Sequence, residues 1–212
     1  MIEKLFSGNI LVVAPHFDDE ILGCGGTLLK ARQYMSNLSV VHLAVASNSR
    51  SEEFNAVAAS LSLSNHRCLS LEDGYLSEYY AVGVRSLVEV IQSLLPKVIL
   101  IPHEHEDHPD HKAARQIAFD AAQKARFWTP NPAGCHHRVE SILEYEVWTP
   151  MVNPSIIINI SNVFHAKCEM MKCYKSQLSY FPYIEYINAF NTWRGILHNK
   201  QGQAEVFHII SL

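Results

Sequence analysis

No apolar run in this 212-residue chain approaches the roughly 20 residues that a membrane-spanning helix requires. The residues after Met1, IEKLFSGN, carry neither a basic n-region nor an apolar h-region. A chain without a membrane anchor, working in the cytoplasm, is therefore expected. The cysteines number five and include no CxxC pair, so they form no disulfide framework and read as small buried hydrophobes of a reducing compartment. Basic residues are also scarce. Lys and Arg total 17 against 21 Asp and Glu, a net charge of -4, which excludes nucleic acid as the main partner and favours a small molecule. There is no internal repeat, low-complexity tract or linker, so residues 1–212 are expected to form a single domain around one core.

What the chain does have is alternation. Apolar runs at 10–14, 40–46, 67–71 and 98–102 read as strands, and helical spacing fills 21–35, 51–61, 82–95 and 111–125 between and after them. This β-α-β-α-β-α-β order predicts an α/β fold, a Rossmann-like three-layer sandwich with a mostly parallel sheet. Right-handed crossovers bring the carboxyl ends of the strands to one edge, where ligands bind. The stretch 127–137, FWTPNPAGCHH, reads as a loop because of its prolines and glycine. Strands at 144–148, 156–160 and 204–209, with helices at 163–175 and 184–198, are expected to extend the same sheet.

Two of the strand ends carry chemistry. Ile10 to Ala14 runs into His16, Asp18, Asp19 and Glu20, and KVILIP runs into His103, Glu104, His105, Glu106, Asp107, His108, Asp110 and His111. Several carboxylates buried together need hydrogen bonds or a cation. Imidazole and carboxylate suit a borderline cation such as zinc, and three protein ligands with one position left for water make a catalytic centre. A carboxylate that stays off the metal would serve as general base.

The segment APHFDDE, paired with HPDH after a later strand, resembles the zinc-dependent LmbE-like de-N-acetylases, also called the PIG-L family. RSEE at 50–53, LEDGYL at 71–76, YKSQ at 174–177 and AEVF at 204–207 extend the likeness over nearly the whole chain. The resemblance implies a hydrolase that removes an N-acetyl group from an amino sugar or its conjugate, nucleotide-linked or a glycan or antibiotic precursor. By that likeness His16, Asp19 and His111 hold Zn2+, with Fe2+ as the chemical alternative, and Asp18 is the general base. His108 stabilises the oxyanion or protonates the amine, Asp110 orients and charges His108, and Arg50 contacts a sugar hydroxyl or phosphate. One position departs from the family pattern: Phe17 stands where the family has proline, which leaves the turn less constrained.

Other readings attach to the remaining signals. A metal-binding or ligand-binding module without turnover, or an amidase acting on a thiol conjugate, would use the same residues. Gly23 to Gly26, GCGG, lacks the GxGxxG spacing of a dinucleotide site and reads as close helix–strand packing. His103 and His105 read as solvent-facing loop residues, and His42 as a satisfied core histidine. His136 and His137 beside Cys135 read as a loop near the pocket. Glu20 divides between supporting a ligand and capping the following helix. The aromatic run from Tyr180 to Trp193 has helical spacing, which points to a core or a subunit interface and leaves a homo-oligomer open.

Overall fold

The computed structural model describes residues 2–45, 47–130 and 134–211. Among the described residues seven strands form one sheet: β1 (Gly8–Ala14), β2 (Met35–Ala44), β3 (Asn65–Leu71), β4 (Val98–Pro102), β5 (Ser141–Tyr145), β6 (Ile156–Asn159) and β7 (Ala204–Ser211), in the order β3-β2-β1-β4-β5-β7-β6. The first five strands are mutually parallel, and β7 runs antiparallel to both β5 and β6. The expected mostly parallel sheet with a C-terminal extension is what the chain forms.

The helices are α1 (Ile2–Leu5), α2 (Asp19–Ala31), α3 (Asn48–Ser60), α4 (Tyr80–Leu94), α5 (Pro109–Lys124), α6 (Phe164–Met171), α7 (Lys175–Leu178) and α8 (Tyr183–Asn199). They cover both faces of the sheet. On one face Ile10 and Val12 of β1 pack with Ile21, Phe54, Met170 and Ile187; on the other, Leu11 and Val13 pack with Leu87, Ile91, Ile117 and Ala118. Burial on both sides explains why β1 and β4 are unbroken apolar runs instead of alternating ones. Among the described residues no helix is long and apolar enough to cross a membrane.

After β3 the chain crosses back over β2 and β1 to place β4 on the far side of β1. That reversal of strand order opens a crevice at the carboxyl ends of β1 and β4. The two motif-bearing segments leave the sheet there.

Some boundaries move. The strand expected at 144–148 is Ser141–Tyr145, in register with β4 from Val98↔Ser141 to Pro102↔Tyr145. Its expected second half bends away because the amides of Val147, Trp148 and Thr149 all donate to Glu106 Oε1 instead of to a strand. The strand expected at 40–46 begins earlier, at Met35, and Ala46 lies outside the described residues. The loop expected at 127–137 carries no helix or strand over its described residues, with 131–133 outside them.

GCGG serves packing. A Cβ on Gly23 would lie 2.2 Å from Tyr145 Cδ2 and 2.9 Å from the Glu146 carbonyl oxygen, and one on Gly26 would lie 2.7 Å from Ile160 Cδ1. Helix α2 therefore sits against the strand ends more closely than any side chain permits, which brings its first turn to the crevice. Midway along it, Lys167 Nζ donates to the Leu22 carbonyl (2.9 Å) and to Glu205 (2.7 Å), while Glu205 accepts from the amides of Gly26 (2.9 Å) and Thr27 (2.7 Å). A buried Lys–Glu pair thus takes up backbone groups of a glycine-rich helix.

Candidate metal centre

The first turn of α2 and the start of α5 meet over the ends of β1 and β4. His16, Asp19 and His111 each offer a donor atom, and these atoms all lie within 4.8 Å of one another. Asp19 Oδ2 is central: it is 3.3 Å from His16 Nδ1 and 3.3 Å from His111 Nε2, and it accepts the His16 amide at 2.9 Å. Asp19 and His111 are buried. Among the described residues neither ring nitrogen of His111 has a hydrogen-bond partner. A buried imidazole without partners is costly, and two imidazoles converging with one carboxylate are a donor set for a borderline divalent cation. The residues present therefore fit such an ion.

The surrounding charges are arranged in pairs. Burial alone would depress His16, but Asp110, Asp19 and Asp73 outweigh it and push the imidazole up to about 12. Burial likewise opposes charge on His111, and Asp19 and Glu106 carry it up to about 9. Burial raises Asp19 too, yet His111 and His16 hold it well below the usual carboxylate range. The site thus favours positive charge among its acids.

Asp18 stands apart from this set. Burial, with Asp19 and Glu20 adding to it, pushes its carboxyl up to about 8 against the opposing pull of Arg50, whose Nη2 donates to Oδ2 at 2.7 Å. Its backbone lies at φ 119°, ψ −26°, a left-handed conformation that favours glycine. The strain is held by Glu20, whose Oε2 accepts the Asp18 amide at 3.1 Å. Glu20 is itself fixed by the Tyr174 hydroxyl (2.6 Å) and by His42 Nε2 (3.0 Å), and His42 continues to His66 at 2.9 Å. Glu20 thus supports the turn that carries Asp18. His42 is a satisfied core histidine, as expected. Phe17, standing at the proline position, stacks on His42 with ring centroids 3.7 Å apart; packing replaces the ring constraint.

Arg50 reaches the site because Ser47 caps α3, its side chain accepting the Arg50 amide at 3.3 Å. The same helix presents Glu53 to the Ser176 amide and hydroxyl. RSEE and YKSQ are in this way two halves of one contact.

Two assignments need correction. The resemblance leads one to expect that the Asp110 carboxylate charges His108; instead its Oδ2 lies 3.0 Å from His16 Nε2 and accepts the Gly74 amide (2.7 Å), while Oδ1 accepts the Leu76 amide (3.1 Å). Asp110 therefore backs His16. His108 meets Asp110 only through its backbone: His108 Nδ1 accepts the Asp110 amide at 3.2 Å, capping α5. That contact leaves the imidazole neutral with its proton on Nε2, in keeping with a pKa lowered by burial and by the charges of His111 and His16. Second, His103 does not face solvent. It is buried and contacts the Thr149 carbonyl through Nε2 at 2.8 Å, whereas His105 is exposed.

Sequence reasoning missed Glu106 and Asp73. Glu106 is fully buried between Val147–Thr149 and His111. Burial would raise its carboxyl, but His103, His111 and backbone amides bring it down to about 2. Asp73 Oδ1 lies 3.0 Å from His16 Nε2 and is half exposed. Its LEDGYL segment stands out in the sequence only through the family resemblance. Among the described residues the two triads with metal-ligand spacing both include His16, the second adding Asp73 and Asp110. His137 Nε2 contacts the Pro96 carbonyl at 2.8 Å and belongs to neither. Part of the aromatic run gathers around Trp148, with Phe181, Tyr183 and Tyr186 at centroid distances of 5.5, 5.9 and 5.1 Å, and Tyr183 lies in the field of Asp18.

Three donors that could hold a metal ion sit at the switch point of a mostly parallel sheet, with a separate buried carboxylate beside them, an arrangement of the α/β class. Residues 11–122 match the family model for PIG-L, GlcNAc-PI de-N-acetylase, and the chain belongs to that family. Diacetylchitobiose deacetylase of Thermococcus kodakarensis is 27% identical over 194 residues, covering 80% of this chain and 70% of that protein. Among solved structures, the conserved protein TT1542 of Thermus thermophilus superimposes with a TM-score of 0.84 at 29% identity, covering 94% and 93% of the two chains. GalB, the 4-carboxy-2-hydroxymuconate hydratase of Pseudomonas putida, has a TM-score of 0.83 at 19% identity over 97% of each chain, a likeness of fold alone.

Proposed function

We propose that residues 1–212 act as one divalent-cation-dependent hydrolase that removes an N-acetyl group from an N-acetylglucosamine-type amino sugar or its conjugate, releasing acetate and a free amine. The observation that carries this reading is the convergence of His16, Asp19 and His111, with the buried His111 ring nitrogens lacking a hydrogen-bond partner among the described residues, beside an Asp18 that Arg50 engages. Membership of a de-N-acetylase family and likeness to a diacetylchitobiose deacetylase supply the substrate class.

His16, Asp19 and His111 would hold the cation, zinc by its donor set, which supplies Lewis acidity toward water and the acetyl carbonyl when bound. Asp18 takes the proton of the attacking water. Its Oδ2 is engaged by Arg50, so Oδ1 is the receiving atom. His108, neutral with Nδ1 occupied, donates from Nε2 to the oxygen on which charge develops. The water oxygen bonds to the acetyl carbon, the C–N bond breaks, and the proton held by Asp18 passes to the leaving amine. Arg50 orients Asp18 and contacts a sugar hydroxyl or phosphate.

Acetate release should be measured over N-acetylglucosamine conjugates linked to nucleotide, lipid and thiol, before and after chelation and after zinc or iron(II) is restored. Release from one class, lost on chelation and regained with metal, is expected. Because a hydratase shares the fold, hydration of 4-carboxy-2-hydroxymuconate is the counter-assay. A metal-loaded protein that frees no acetate from any conjugate refutes the proposal.

A further inference from the structure

Each of the two imidazoles offered to the cation has a carboxylate behind it, but only one of those contacts is closed. His16 Nε2 lies 3.0 Å from Asp110 Oδ2, a full hydrogen bond. His111 Nδ1 lies 3.6 Å from Glu106 Oε2, and among the described residues neither of these buried atoms has a hydrogen-bond partner. The other Glu106 oxygen is saturated. Oε1 accepts the amides of Val147 (2.7 Å), Trp148 (2.8 Å) and Thr149 (3.1 Å), which lie just past the end of β5. The carboxylate is thus clamped through one oxygen and points its unused oxygen at an unused ring nitrogen. Two buried, complementary and unpartnered polar atoms a few tenths of an ångström beyond bonding distance are an expensive arrangement unless something completes it.

We infer that Glu106 is a positioning residue for the metal centre: it accepts the His111 Nδ1–H and thereby presents Nε2 to the cation, so that ion binding and the conformation of 147–149 are joined through one side chain. The inference rests on the cation site proposed above but not on the reaction. A carboxylate behind a ligating imidazole fixes its tautomer and raises its basicity, and loss of such a partner lowers metal affinity about 10- to 100-fold. In the present case Glu106→Gln separates the two jobs of the residue. Its amide oxygen still accepts from 147–149, while its NH2 group cannot accept from His111.

The test is zinc affinity, measured by competition with a chromophoric chelator at fixed pH on the whole protein with no substrate present. Glu106→Gln is expected to bind zinc about 10- to 100-fold more weakly, with the melting temperature of the metal-free protein close to that of the parent. An unchanged zinc affinity overturns the inference. A second measurement needs no variant: in the zinc-loaded parent protein, long-range 1H–15N correlation should show His111 protonated at Nδ1, and protonation at Nε2 or at neither nitrogen overturns it equally. Zinc binding without acetate release would remove the deacetylase proposal and leave Glu106 in its role; failure of the parent protein to bind zinc would remove the cation site and this inference together.

Discussion

Replacing Asp18 with asparagine separates its chemistry from its electrostatics. The side chains have the same shape, and Asn Oδ1 still accepts from Arg50 Nη2 across the 2.7 Å gap that Asp18 spans, so the site should keep its geometry and its cation. The amide cannot take a proton from water. Loss of a general base lowers turnover about 10²- to 10⁴-fold, or about 3–5 kcal/mol of barrier at roughly 1.4 kcal/mol per decade. Stability should move the other way. Burial, together with Asp19 and Glu20, pushes the Asp18 carboxyl from its usual 3.8 up to about 8. An acid whose folded pKa exceeds its unfolded one contributes stability while protonated and loses it as pH rises through that interval. The metal-free parent should therefore weaken relative to Asp18→Asn between pH 5 and 8. Turnover is read as acetate release with bound metal quantified in the same sample, and stability as melting temperature of metal-free protein at pH 5.5 and 8. A variant within tenfold of the parental rate refutes the base assignment. A melting-temperature advantage that fails to grow with pH refutes the electrostatic reasoning.

Two further substitutions test the frame that holds the site. Gly23→Ala places a Cβ 2.2 Å from Tyr145 Cδ2, so α2 must shift; a loss of about 1–3 kcal/mol in urea unfolding is expected from overpacking, with weaker cation binding because the first turn of α2 carries Asp19. Lys167→Met breaks a buried ion pair but leaves Glu205 its two backbone donors, so the loss should lie at the lower end of the usual range, about 3 kcal/mol. An unfolding midpoint unchanged by either substitution contradicts the packing described.

Local signals made the frame legible. The continuous apolar runs of β1 and β4 marked strands buried on both faces, and the glycines after β1 marked a helix pressed onto the sheet. Placing the parallel strands side by side brought both motifs to one edge, because each sits at a carboxyl end; the choice of His16, Asp19 and His111 among their acids and histidines came from the family resemblance alone. What stayed hidden depends on partners distant in sequence. Nothing near Asp110 says that its carboxylate turns to His16 and the amides of Gly74 and Leu76. Glu106 looked like one acid in a polar cluster until the chain past β5 folded over it. His103 carried the same ambiguity, since its burial depends on the carbonyl of Thr149. The early end of β5 has the same origin, an amide run captured by a side chain instead of by a strand.

The left-handed backbone of Asp18 (φ 119°) bears on how this sequence can drift. A non-glycine residue held in such a conformation costs about 1–3 kcal/mol, and glycine would release most of it. At this position the exchange that relieves the backbone also deletes the acceptor of Arg50 Nη2 and the carboxylate on which the proposed reaction depends. Random substitution screened for thermostability alone should therefore tolerate loss of the carboxylate at residue 18 and silence the protein, whereas screening for turnover should retain the strained aspartate and collect its compensating gains elsewhere.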